Sequence, residues 1–328
     1  MNKKIGYAIA FVLALAAPFV GYPVFLMSLL CFGLFACAFN LLIGYTGLLS
    51  FGHAAFFGVA GYVTGNAINE LGLPTELALL LGVAAGALVG LVMGALAIRR
   101  QGIYFSMITL ALAQMVYFGA LHTSYTHGED GLQGVARGKL LGMLDLTNDV
   151  TLYYVVLAIA IGGFALITRI VHSPFGQVLT AIKENEPRAI SLGYDVDKYK
   201  LTAFVLSAAL AGLAGATKTL VQGSETLTDV HWSLSGLVIL MTLVGGMGTL
   251  VGPIIGAFII ITLENKLGDV GSFLARTTNI EWFSTLGESV SMVTGLIFIA
   301  CVLLFRRGIV GEIGAAFASA AARRKKAA

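Results

Sequence analysis

The sequence predicts an all-α, polytopic transmembrane helical bundle with broken or re-entrant helices and one sizeable helical loop on the cytoplasmic side. Three observations predict it. Of 328 residues, 58% are hydrophobic and only 11% charged, with a mean hydropathy of +0.90, whereas a soluble domain carries about a quarter charged residues. No Asp, Glu, Lys or Arg occurs from Ile5 to Asn69. A second uncharged run, 77–98, has 22 residues; as a helix it reaches about 33 Å, against a hydrocarbon core of roughly 30 Å.

Taken in chain order, the expected spans are about 5–22, 24–43, 54–69, 77–98, 102–122, 150–171, 199–222 and 289–305, with an interrupted stretch at 234–263. The first follows Lys3 and Lys4, a pattern shared by signal peptides and retained helices. A retained helix is expected, because another span starts just after Pro23 and the topology needs an outer end at Tyr22. The glycine ladder Gly82, Gly86, Gly90 and Gly94 is expected to serve helix packing, since lipid gives helices no hydrophobic reason to associate.

A first interruption lies at 44–53, Gly-Tyr-Thr-Gly-Leu-Leu-Ser-Phe-Gly-His, with Asn40 one turn earlier. Polar side chains at membrane depth face the bundle interior, where they find partners or line a path. Taken alone, His53 reads as a hydrogen-bonded structural residue. The second interruption is Gly245-Gly246-Met247-Gly248, followed by Gly252-Pro253. Its first limb, 234–244, would reach only about 16 Å. A re-entrant pair or two short distorted helices is expected, and irregular backbone at that depth requires burial in protein or a wet cavity.

Charge fixes the expected orientation. With the N-terminus inside, segments 1–4, 99–101, 169–200 and 306–328 hold 15 of the 20 basic residues and 5 of the 17 acidic ones, a strong positive-inside bias. That parity requires 234–263 to enter and return to the outer side. Lys218 is expected near an outer helix end, where its ammonium can reach the interface. Segments 123–149 and 264–288 are expected as acidic outer loops.

The loop at 172–198 carries two helix starts, Ser173-Pro174 and Glu186-Pro187, and Gly193 suits a left-handed C-cap. Val178, Leu179 and Ile182 form an apolar stripe that wants a partner. Acidic and basic residues are evenly mixed here, which weakens attraction to anionic lipid, so docking to a cytoplasmic subunit is expected.

With this loop the chain resembles the M-type permease subunits of bacterial branched-chain amino acid ATP-binding cassette importers. The resemblance is carried, in order, by Asn40 to Gly47 running into Ser50-Phe51-Gly52-His53; Gly102-Ile103-Tyr104-Phe105, Thr109-Leu110-Ala111 and Gln114; and Gly128 to Leu132. Then come Ser173-Pro174-Phe175-Gly176, Gly193-Tyr194-Asp195, Lys200, Ser207-Ala208, Gly215, Trp232, Ser235-Gly236, and Gly245 to Thr249 with Gly252-Pro253. It implies a permease domain over 1–310 and a basic cytoplasmic tail over 311–328, in a multi-pass protein of the bacterial inner membrane with both termini cytoplasmic. Its implied partners are a second, H-type permease, two cytoplasmic ATPase subunits, a periplasmic solute-binding protein and the lipid bilayer. Asn40, Gly44, Tyr45, Ser50, His53, Tyr104, Gln114, Gly245, Gly246 and Gly248 are then expected to line or support the translocation pathway. Phe175, Lys183, Glu184, Glu186, Arg188 and Gly193 are expected to couple to the ATPase. The solute expected is a branched-chain amino acid or a related small solute, with urea, amides or aromatic acids as alternatives.

Other classes fit less well. The only Gly-Lys pair, Gly138-Lys139, is followed by Leu140, so no phosphate-binding loop is present, and a separate motor is expected rather than an enzyme. A self-sufficient secondary transporter needs an ion or proton site, and no acid falls deep within an expected span. His122, His127, Glu129 and Asp130 sit in a Gly-rich outer loop and are expected to be solvated rather than to bind metal. Cys31, Cys37 and Cys301 lie in apolar runs and give neither a disulfide framework nor a zinc pattern. No cofactor and no nucleic-acid partner is expected from a net charge of +3.

Overall fold

The computed structural model describes residues 12–19, 21–140, 142, 144–278, 292, 293, 295, 296, 299 and 308–312, with 268–278 as backbone. Of the expected span 5–22, residues 12–19, 21 and 22 are described, with 12–19 helical, whereas the expected span 289–305 and the tail 311–328 lie largely outside the described residues.

The chain is a helical bundle. Helix α1 (Pro23–Thr46) opens with proline in its first turn and closes at Gly47, whose φ of 76° is the left-handed conformation that ends helices. Helices α2 (His53–Asn69) and α3 (Thr75–Ala97) follow, then α4 (Ile103–His122). Helix α5 (Asp149–Val171) is capped by Asn148, which accepts from the Val150 N–H. Two short helices, α6 (Pro174–Glu184) and α7 (Glu186–Ser191), lead into α8 (Val196–Gln222). A turn, α9 (Leu227–Val230), precedes α10 (Trp232–Gly245) and α11 (Gly252–Thr278). Among the described residues, α1, α3, α4, α5 and α8 are long and apolar enough to cross a membrane.

Helices α1, α2, α3 and α8 form the centre, packed through Phe35, Phe39, Phe56, Phe57 and Phe204. Small residues bring their backbones together, as expected of the glycine ladder. Gly86 of α3 lies against Gly212 of α8, where an added Cβ would stand 3.2 Å from the Gly212 Cα. In α8, Gly215 leaves no space for a side chain against the Phe57 carbonyl of α2.

Helices α10 and α11 fold back on each other as a hairpin. Gly245 abuts the Gly252 carbonyl and Gly256 the Met241 carbonyl, so neither position has room for a Cβ. The second limb differs from expectation. It runs 27 residues to Thr278, about 40 Å, so 264–278 is helix and not outer loop. Glu264 and Lys266 lie within this helix and do not end it.

Residues 124–145 and 224–230 also contain regular elements. Strand β1 (Leu132–Gln133) pairs antiparallel with β4 (Ser224–Glu225), and β2 (Lys139–Leu140) with β3 (Leu144–Asp145). After Gly223, residues 224–230 descend along α2: Glu225 packs on Gly61, and Asp229 and Val230 on Gly58. That descent corrects the reading of Lys218. Its side chain is 3% exposed, paired with Asp229 at 2.5 Å and lying 3.6 Å from Glu225. The ammonium does not reach the interface because the folded-back segment brings two carboxylates to it.

Candidate functional site

The break predicted at 245–253 meets the last turns of α1. Asn40 of α1 donates from Nδ2 to the Thr249 carbonyl (2.8 Å) and accepts at Oδ1 from the Gly248 N–H (2.9 Å). One turn on, Gly44 presses on the Gly248 Cα, and an added Cβ there would meet both that atom and the Asn40 side chain. Thr249 Oγ1 donates to the Gly246 carbonyl (2.7 Å) and accepts from the Gly252 N–H (3.1 Å). The irregular backbone between α10 and α11 is thus satisfied by one asparagine, one threonine and itself, as membrane depth requires. Gly245, Gly246, Gly248, Asn40 and Gly44 form a single cluster.

The other break, 47–52, is held by hydroxyls. The Phe51 N–H donates to Thr109 Oγ1 (3.2 Å), Ser106 Oγ donates to the Leu49 carbonyl (2.7 Å), and Ser50 Oγ accepts from the Gly52 N–H (3.1 Å). Tyr45 packs half-buried against the central core. His53 is fully buried and shares a hydrogen bond with Ser207 Oγ (2.9 Å). Because that hydroxyl gives its proton to the Ala38 carbonyl (2.6 Å), Nε2 is the protonated nitrogen. The rings of Phe39, Phe56 and Phe204 surround it with centroids at 4.9, 5.3 and 6.2 Å. Tyr104 and Gln114 stand apart on α4: Tyr104 is 76% exposed and Gln114 partly so.

The 172–198 loop is joined to this cluster through Lys183. Lys183 of α6 donates from Nζ to the Gly44 carbonyl (2.7 Å), and its stem lies over Gly47. A cation at the carbonyl end of a helix is favoured by the exposed C=O groups there. Glu186 of α7 pairs with Lys200 of α8 (2.7 Å) and accepts from Gln101 Nε2 (2.9 Å). The loop therefore grips α1, α8 and the α3–α4 turn.

Its internal build follows the sequence. Ser173, Asn185 and Asp195 each cap the helix that follows. Hydrogen bonds from Lys198 hold the Asp195 carboxyl below its ordinary range. Phe175 stacks on Tyr199 at 5.6 Å. Leu179 and Ile182 are buried by the chain itself, Ile182 with Ala189 and Val196, so they are not the docking stripe expected. The α6–α7 turn folds those faces inward. What it leaves outside is Ile190, Leu192 and Tyr194, with Glu184 and Arg188 beside them.

Gly193 ends α7 with φ +87°. Its N–H reaches the Ile190 carbonyl (2.9 Å) and the Tyr194 N–H reaches that of Ala189 (3.2 Å), the double closure of a Schellman turn. Gly193→Val is expected to strain this turn by about 1–3 kcal/mol, read as faster proteolysis between 184 and 198 in membranes holding normal amounts of protein. Unchanged proteolysis would mean the turn tolerates a side chain.

Sequence reasoning missed Ser106, and it quoted Thr109, Ser207 and Thr249 only within family motifs, without the hydrogen bonds their hydroxyls make. It also missed Glu225 and Asp229 as partners of Lys218; the available signal was a lysine near the end of a stretch, 201–222, with no other charge.

A family model described as branched-chain amino acid transport system / permease component matches residues 23–305. The chain is 26% identical over 302 residues to the high-affinity branched-chain amino acid transport system permease protein LivM of Escherichia coli (strain K12), covering 83% of this chain and 70% of that one. It is 25% identical over 279 residues to a probable branched-chain amino acid transport permease protein, LivH, of Methanocaldococcus jannaschii, covering 81% and 84%. It is 28% identical over 209 residues to the ribose import permease protein RbsC of Bacillus subtilis, covering 60% and 58%.

Proposed function

This chain belongs to the family of branched-chain amino acid transport system permease components, and from that premise we propose that it is the membrane-spanning permease subunit of an ATP-driven importer. Its solute is a branched-chain amino acid or a related small solute. It works by alternating access, driven by separate cytoplasmic ATPase subunits, beside a second permease and fed by a solute-binding protein at the outer face. Residues 1–310 form the permease and 311–328 a basic tail, with both termini on the cytoplasmic side of the inner membrane.

The observation that carries this reading is the Lys183–Gly44 contact. It connects an exposed helical loop to the end of α1, where the broken segment at 245–253 is held. An ATPase pressing on Ile190, Leu192 and Arg188 would move α6 and α7 as one unit, because Ile182, Ala189 and Val196 pack them together. Lys183 and Glu186 would pass that movement to α1 and α8. Motion of α1 would shift Asn40 and hence the Gly248–Thr249 backbone.

The test is uptake by the reconstituted complex of this chain, its partner permease, the ATPases and the binding protein. Glu186→Lys places a second cation against Lys200, which is 4% exposed. It is expected to lower ATP-driven uptake about tenfold or more, the size of a lost coupling of ~1–3 kcal/mol, with membrane insertion unchanged. Uptake at the normal rate would remove the coupling role. Flux driven by an ion gradient through this chain alone would remove the importer reading.

A further inference from the structure

The buried cluster at the outer end is not used by the transport reading, and its polar inventory does not close. Lys218 on α8 supplies one positive charge, and Glu225 on β4 and Asp229 on α9 supply two carboxyls. Asp229 Oδ2 is well served, by Lys218 Nζ (2.5 Å), the Thr226 N–H (3.1 Å) and Thr226 Oγ1 (2.7 Å). Glu225 is not. Its side chain is 0% exposed; Oε2 accepts from Thr219 Oγ1 (2.6 Å) and lies 3.6 Å from Lys218 Nζ, while Oε1 has no partner. On α2, the Tyr62 hydroxyl is likewise buried without a partner, within electrostatic reach of both carboxyls. Cys31 of α1 lies within reach of Lys218, and β1 contributes only Leu132 and Gln133.

A carboxylate oxygen with no donor, sealed from water, is costly; the same oxygen bearing a proton is a donor and the carboxyl is neutral. We propose that Glu225 is a proton-binding site: a neutral carboxylic acid whose bound proton locks the β1–β4 seal against α2, and whose loss loosens that seal. The step is a simple ionisation. The O–H bond of the carboxyl breaks, the electron pair stays on Oε1, and the proton leaves to water. Two carboxylates would then share one ammonium beside the Gly61 backbone, which packs directly on the Glu225 carboxyl. The same close packing, with Lys218 on the other side, argues against a metal cation in the proton's place. Burial is the main cause that pushes the Glu225 carboxyl up to about 8, within the range documented for buried glutamates.

Opening the seal returns Glu225 to water, where its carboxyl is ordinary, about 4.3. Between that value and about 8 the closed state holds one proton more than the open state, so opening becomes easier as pH rises, about tenfold per pH unit, and levels off above about 8. Two measurements on the full chain in detergent test this. Infrared titration of the wild type is expected to show an undissociated carboxyl band at neutral pH, lost with a midpoint near 8 and missing in Glu225→Gln. Amide exchange of residues 131–135 and 224–230, corrected for intrinsic base catalysis, is expected to rise steeply with pH in the wild type and stay flat in Glu225→Gln. No such band at neutral pH, the same band in Glu225→Gln, or corrected exchange that ignores pH would each overturn the proposal. If Glu225→Gln does not fold, the wild-type titration and exchange decide alone.

Discussion

Asn40→Leu is expected to abolish uptake while the protein still reaches the membrane. Leucine has nearly the same bulk and adds no charge, so the change removes two hydrogen bonds and little else. The Gly248 N–H and the Thr249 carbonyl lose the partners they have at 2.9 and 2.8 Å. Each buried group left unpaired costs about 1–3 kcal/mol, or roughly 2–6 kcal/mol for the two. Proline follows at 253 and glycines stand at 245, 246, 248 and 252, so this backbone has few other ways to be satisfied, and it is expected to rearrange. Asn40→Asp separates the two bonds: it keeps an acceptor for Gly248 but turns a carboxylate oxygen toward the Thr249 carbonyl. It should therefore fail as well, whereas a role limited to the Gly248 N–H would leave it active. The readout is solute uptake per unit of membrane-inserted protein. Wild-type uptake by Asn40→Leu at normal abundance would show that the clasp is dispensable.

Much of this architecture was legible in the chain, and the illegible part has a physical character. Spans showed because hydrocarbon demands long uncharged runs, and the break at 245–253 showed because glycine and proline interrupt a ladder locally. Asn40 and Gly44 also stood out as polar or small positions near a helix end. Their union with Gly248 and Thr249, some 209 positions away, has no local signal, since periodicity reports faces of one element and not which elements meet. Lys218 was misread for a related reason. Snorkelling presumes a helix end open to the interface, but Gly223, at φ 68°, turns the chain down beside α2 and buries the lysine with two acids. The stripe Val178–Leu179–Ile182 failed in the same way: the amphipathic face was real, but its partner was the neighbouring short helix and not another protein. The charges at Glu264 and Lys266 fall inside a helix that continues to Thr278 and did not mark its end.

Lys218→Met should have the second large effect, and it bears on folding more than on transport. Methionine keeps an apolar stem of similar length, so packing is largely preserved and the ammonium alone is lost. Asp229 then faces Glu225 without a countercharge, and removing one partner of a buried ion pair typically costs about 3–5 kcal/mol. Membrane-inserted yield and heat resistance in detergent should both fall sharply. The double variant Lys218→Met, Asp229→Asn is expected to recover most of the loss, because it removes one positive and one negative charge together and leaves Glu225 as the neutral acid proposed above. The asparagine amide can still accept from the Thr226 N–H at Oδ1, the contact Asp229 makes at 3.1 Å. A single variant as stable as the wild type would mean that Lys218 contributes no buried charge. A double variant no better than the single one would assign the loss to the lysine stem, and the electrostatic account of the Lys218 cluster would fall.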